Sequence, residues 1–186
     1  MVELGNYLQG FLQKNEFVHC GNWERSLIEK ITYKPLIAER NIHCVYIWLA
    51  RKQDKIIPLY FGKARNGVFD RMKQHVGGFR EDKNGSVSGR RKRNILDKLL
   101  SSNWTIEVHA KESSSTGSLD LFSSGLFEFR SREDENIQFP SVSLYSIEEE
   151  VLIRFFEVNF PYLILMNGLK DKDANPHEFL NWINSL

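Results

Sequence analysis

The chain has 186 residues, 41% hydrophobic and 26% charged, with a formal net charge of +1. That suits one globular domain with its own core. No apolar run reaches the ~18–20 residues that span a bilayer, no apolar leader segment is visible, and Cys20 and Cys44 form no CxxC pair. A membrane protein, a disulfide framework and a zinc module are therefore set aside, and a cytoplasmic protein is expected.

Residues 1–41 read as two helical pieces. Asn22 can cap the second, in which Trp23, Leu27 and Ile31 recur at helical spacing. Residues 44–50 and 56–62 are rich in β-formers and are joined by a polar turn, which predicts a hairpin. Strand alternation puts Tyr46 and Trp48 on one face and Val45, Ile47 and Leu49 on the other. Pro58 predicts an edge strand or a bulge.

Gly67 opens a helix that Gly77-Gly78 stops. Its buried stripe is Val68, Met72 and Val76, and Arg71 and His75 share a neighbouring face one turn apart. Residues 79–93 read as a loop and Asn94–Leu100 as a short helix. A third strand is expected over 104–110 and a small extra hairpin over 126–130 and 137–142. Helices are expected from Ser146 to about Val158 and after Asn175-Pro176.

Charge is unevenly spread. Residues 51–98 carry fourteen Lys/Arg against five Asp/Glu, and residues 99–186 carry six against fourteen. The basic middle includes Arg90-Arg91-Lys92-Arg93. It predicts either a face for a polyanion or two halves that neutralise each other in the fold.

Val45-Tyr46 and Tyr60-Phe61-Gly62 resemble the two halves of the motif that names the GIY-YIG nuclease superfamily. The run from Tyr60 through Lys63, followed by Arg71 and His75, is similar to that of its excision-repair and restriction members. Glu149-Glu150-Val151-Leu152-Ile153 resembles the family's Glu-bearing helix. Cys44 stands where the naming glycine would be, and Gly67 resembles one extra residue before Arg71. The family's Asn matches Asn167 or Asn159.

The resemblance implies a small three-stranded, mainly antiparallel sheet flanked by helices, an α/β (α+β) fold in a single domain. Its catalytic core would be residues 44–79, 104–110 and 146–167. Residues 1–43 would form an N-terminal helical arm, 80–103 and 111–145 DNA-binding insertions, and 168–186 a C-terminal helix. The implied activity is a Mg²⁺-dependent (or Mn²⁺-dependent) endonuclease of the type II restriction kind cutting double-stranded DNA, with a homodimer or higher oligomer on DNA. A repair or mobile-element nuclease, or a binding module without catalysis, are the alternatives.

The implied catalytic residues are Tyr46, Tyr60, Lys63, Arg71, His75, Glu149 and Asn167. Glu149 would be the metal ligand, although Ser146-x-x-Glu149 also reads as a capping box. A phenol can hold or deprotonate water, a guanidinium fork suits a phosphate, and an imidazole can move a proton. Arg90, Arg91, Lys92 and Arg93 would track the DNA backbone.

Overall fold

A computed structural model of the chain describes residues 2–26, 30–38, 42–82, 84–113, 115–116, 142–170 and 176–185. Leu4, Leu8 and Leu12 recur one turn apart and are buried, which makes helix α1 (Val2–Lys14) amphipathic. Strands β1 (Val18–Arg25), β2 (Ile31–Pro35), β3 (Cys44–Lys52), β4 (Lys55–Ala64) and β5 (Thr105–Glu112) follow, interrupted by helices α2 (Val68–Gly78) and α3 (Val87–Ser101). All five strands pair antiparallel in one sheet of order β2-β1-β5-β3-β4. Beyond β5, Ser115–Thr116 (β6) pairs with Val142–Ser143 (β7). Helix α4 (Tyr145–Asn159), a 3₁₀ turn (Met166–Lys170) and helix α5 (Pro176–Ser185) complete the fold.

The three-stranded sheet is thus corrected to five strands, and the architecture is α+β. The second helical piece of the arm is in fact strands β1 and β2, and Asn22 lies inside β1. A register shift between His19 and Gly21 explains the misreading. It buries Cys20, Gly21 and Trp23 out of strict alternation, so a period of two is hidden and a spacing of four is left. Helix α3 begins at Val87, so the basic run lies on a helix rather than in a loop. The extra hairpin falls on residues outside those described, apart from Val142.

The sheet has helices on both faces. Tyr46, Trp48 and Tyr60 pack with Trp23, Met72, Ile95, Leu99 and Phe179 on the α2, α3 and α5 side. Val45, Ile47, Leu49 and Phe61 pack with the α1 leucines and with Phe156 of α4 on the other. Strand β4 lies at the sheet edge and its register slips beside Pro58, a position that suits a residue with no N–H to donate. No helix among the described residues is long and apolar enough to cross a membrane.

Candidate active site

Strands β3 and β4 pair Tyr46 with Gly62 and Trp48 with Tyr60. The two phenols therefore stand side by side on the α2 face, with ring centroids 6.0 Å apart. Gly62 makes the arrangement possible. A Cβ there would lie 2.3 Å from Cζ and Oη of Tyr46, so the Tyr46 ring crosses β4 through the space a side chain would fill. Tyr46 is 0% exposed and Tyr60 2%.

Helix α2 brings the next two groups. Gly67 turns the chain out of β4 with φ of 90°, a conformation that favours glycine, and α2 starts directly after it. One turn in, Arg71 faces the phenols, and a further turn on His75 Nε2 lies 2.8 Å from the Tyr46 hydroxyl. The His75 ring sits edge-on to Tyr60 at 5.6 Å and to Trp48 at 4.8 Å. Burial is the main cause that raises both phenol pKa values, that of Tyr46 strongly, while the Arg71 charge acts to lower them. For Arg71, burial disfavours the cation, but the phenols and Glu149 outweigh it and its pKa is raised. Its Nη1 donates to Gln74 at 2.6 Å, and its buried Nε has no hydrogen-bond partner. A buried donor left so costs about 1–3 kcal/mol, and an arriving anion would satisfy it.

Glu149 comes from the opposite face. Helix α4 packs there against Phe61, and the Glu149 carboxylate reaches Lys63 at 3.0 Å around the end of the edge strand. Its charge is felt at Tyr60, whose phenol it acts to raise, and at Arg71. The capping-box alternative is not used: α4 is capped at Leu144 without a side-chain hydrogen bond.

Asn167 acts through the backbone. Its Oδ1 accepts from Phe61 N–H at 2.9 Å and its Nδ2 donates to Phe61 C=O at 2.8 Å. It thereby pins the edge of β4 between Tyr60 and Gly62 rather than facing the phenols. Asn159 is exposed and donates to Phe155 C=O within its own helix.

The four consecutive basic residues near the start of α3 part company. Arg90 donates to the Gly85 carbonyl at 3.3 Å and Arg93 pairs with Glu81 at 2.7 Å, while Arg91 is half-buried. Lys92 turns inward, is 4% exposed, and holds its Nζ 3.8 Å from the centre of the Tyr60 ring. Sequence reasoning grouped it with its neighbours. Its three-residue offset from Ile95, on the buried face, was the available signal.

Two hollows flank Arg71. One, of about 240 Å³, is lined by Lys63, Asn66, Asp70, Arg71, Gln74 and Tyr145 among others. The other, of about 290 Å³, is lined by Tyr60, Arg71, His75 and Lys92 with the start of α3.

A Mg²⁺ or Mn²⁺ ion fits one part of this donor set. The Glu149 carboxylate is a hard oxygen ligand, with a side chain only 14% exposed, and such ions bind through one or two carboxylates plus substrate phosphate and water. Among the described residues no group of three or more His, Cys, Asp or Glu forms a metal cage.

No protein-family profile and no curated protein matches the sequence. Solved structures do. A mutant of bacteriophage T4 EndoII aligns with a TM-score of 0.56 and 15% identity, over 84% of this chain and 98% of that one. The restriction endonuclease HPY188I in complex with product DNA aligns with a TM-score of 0.44 and 15% identity, over 83% and 81%. The chain shares the fold of T4 EndoII.

Proposed function

We propose that this protein is a Mg²⁺-dependent DNA endonuclease of the restriction type, acting on double-stranded DNA. The observation that carries the reading is the convergence at one end of β4: the Tyr46–His75 pair, Tyr60 and Arg71 on one side, and Glu149 on Lys63 at the other. The fold shared with bacteriophage T4 EndoII supports it.

Hydrolysis requires water to attack phosphorus while the bond to the 3′-oxygen breaks. Arg71 would bind the non-bridging oxygens, satisfying its buried Nε. Tyr60 lines the hollow and would orient the water, whereas Tyr46 lies behind it. The water proton would pass to the Tyr46–His75 pair, whose 2.8 Å separation allows exchange between phenol and imidazole. Glu149 would hold the metal ion, which when bound would neutralise charge on the phosphate and the leaving oxygen. Lys63 would release the carboxylate to that ion and take up the phosphate as a point charge. The described residues of one chain hold one such cluster, so cutting both strands calls for two protomers or two successive events.

The test is incubation of supercoiled plasmid and linear duplex with Mg²⁺, comparing wild type with Glu149→Gln. Discrete linear fragments from wild type alone, together with Mn²⁺ binding by electron paramagnetic resonance that the variant loses, are the expected result. Cleavage only at flaps or damaged sites would move the protein to the repair class. DNA binding without cleavage by either protein would leave a binding module.

A further inference from the structure

Helix α4 is apolar on two sides. Leu152, Ile153 and Phe156 pack with the α1 leucines and Phe61. On the outer side Ile147, Val151, Phe155 and Val158 recur at steps of four, four and three residues. That spacing keeps them in one stripe about 80° wide. Ile147 is 60% exposed, Val151 58% and Val158 76%. Tyr7 of α1 and Tyr162 extend the stripe. The Tyr7 ring stacks on Phe155 at 6.3 Å and meets Phe160 at 5.2 Å, and Phe160 meets Tyr162 edge-on at 6.2 Å. At roughly 150–250 Å² per large side chain, the exposed fractions of Tyr7, Ile147, Val151, Phe155, Val158 and Tyr162 leave on the order of 600 Å² of apolar surface open among the described residues. A helix apolar all round is ordinarily buried, and a contiguous patch of this size marks an interaction site.

We propose that this stripe is the contact between two copies of the chain, packed with their α4 helices antiparallel about a two-fold axis. The inference goes beyond the nuclease reading and does not rest on it. Area and charge both favour a second copy as the occupant. A two-fold contact buries the same patch twice, about 1,200 Å² in all, which reaches the ~1,200–2,000 Å² of specific interfaces. Glu150, Arg154 and Glu157 line one flank of the stripe and are exposed, and Arg154 donates to Glu157 of its own helix at 3.4 Å. The two-fold axis sets this flank against itself with its direction reversed. With Val151 opposite Phe155 of the second copy, Arg154 comes level with Glu150 of that copy, and symmetry forms the pair twice. Glu149 lies about 160° around α4 from the centre of the stripe, where it reaches Lys63. The contact therefore leaves both candidate sites open and ties the two Glu149 helices back to back.

Sedimentation velocity of the full chain, without DNA or metal, tests the contact. Cleavage is not measured, so failure of the nuclease reading would leave the result unaffected. Wild type should be dimeric at on the order of 50 µM. Val151→Lys combined with Val158→Lys should weaken the dimer by about a hundredfold or more. Arg154→Glu and Glu150→Arg should each weaken it by about fivefold, and the double swap should restore it. An equimolar mixture of Val151→Cys and Phe155→Cys chains, oxidised with copper phenanthroline, should form mixed disulfide dimers faster than either chain alone. Cys20 and Cys44 are buried and do not compete. The swap and the cross-link keep the outcome readable if the lysine pair fails to fold.

A wild-type monomer throughout the concentration range would overturn the proposal. So would a dimer that resists both the lysine pair and the single charge reversals, because another surface would then form it. A monomer whose melting temperature falls with the lysine pair would give the stripe to residues 117–141 of the same chain. A monomer that floats with lipid vesicles would give it to a membrane surface. Either result refutes the second copy.

Discussion

Replacing Gly62 with Ala should damage the site through a single methyl group. The new Cβ would lie 2.3 Å from both Cζ and Oη of Tyr46, against an ordinary contact of 3.4 Å or more, so the ring must retreat by about 1.1 Å. It has nowhere easy to go, because Tyr46 is fully buried among Tyr60, His75 and the α2 helix. Overpacking of this kind costs about 1–3 kcal/mol, and a chain of this size loses roughly 2–4 °C of Tm per kcal/mol. The chemical cost should be larger. The 2.8 Å contact between Tyr46 and His75 would open beyond hydrogen-bonding range, and a misplacement of about 1 Å can lower a rate by on the order of 10²-fold. Thermal denaturation and single-turnover cleavage would measure both effects. The reasoning also predicts strong coupling: in a Tyr46→Leu background, with no aromatic ring over β4, the Gly62→Ala change should cost almost nothing further in stability. Additive losses, or a Gly62→Ala protein with wild-type melting and cleavage, would refute it.

Two further outcomes follow from other parts of the sheet. Glu107 is held between Arg51 at 2.7 Å and His109 at 3.0 Å; burial works against its charge, but these two partners outweigh it and lower its pKa from 4.5 to about 2. Because the folded value is the lower one, its stabilisation is present above pH ~4.5 and lost as pH falls toward ~2, an effect on the order of 2–3 kcal/mol; Glu107→Gln should flatten the acid-unfolding profile in that window, and an unchanged profile would refute the assignment. Asn167→Ala removes both side-chain bonds to the Phe61 backbone and should cost about 1–3 kcal/mol, with faster amide exchange at Phe61; Asn167→Asp, which keeps an acceptor but loses the donor, should fall between, and unaltered exchange in both would remove the positioning role.

The elements nearest the proposed chemistry were the legible ones, for a physical reason. Along β3 from Val45 to Leu49 the residues that face opposite layers are all large, so Tyr46/Trp48 and Val45/Ile47/Leu49 separate cleanly by alternation. Met72 and the Arg71/His75 pair likewise declare α2 at helical spacing. Strands β1 and β2 were not legible. The shift at His19/Gly21 spoils the period, and the short polar residues Asn22 and Thr32 take half-buried positions in the two strands. The start of α3 was hidden too, because its first two turns run Val87-Ser88-Gly89-Arg90-Arg91-Lys92-Arg93, with a glycine and four cations. There the helix is secured by the Ser86 cap, which accepts from Gly89 N–H, and by tertiary burial of Lys92, neither of which has a periodic signature. The same concealment made Lys92 look like a surface charge, since composition cannot say which of four adjacent cations a helix will turn inward.

The sheet order explains why the two additional strands do not interfere with the site. Residues on one strand point alternately to opposite faces, so Tyr60 and Gly62 serve the α2 face while Phe61 and Lys63 serve the α4 face. Groups from both faces can meet only around a strand with an open side. Strand β4 is such a strand, and the β1–β2 pair joins the sheet beyond β5, on the far flank. An exposed edge invites pairing with another chain. Asn167 occupies that edge at Phe61 with one donor and one acceptor, as a neighbouring strand would, yet adds no further strand. Just beyond that clasp, Lys63 at 40% side-chain exposure joins the helix that carries Glu149 to the face that carries the phenols. An insertion that added a sixth strand to β4 would fill this gap, and with it the route by which a phosphodiester could touch both sets of residues at once.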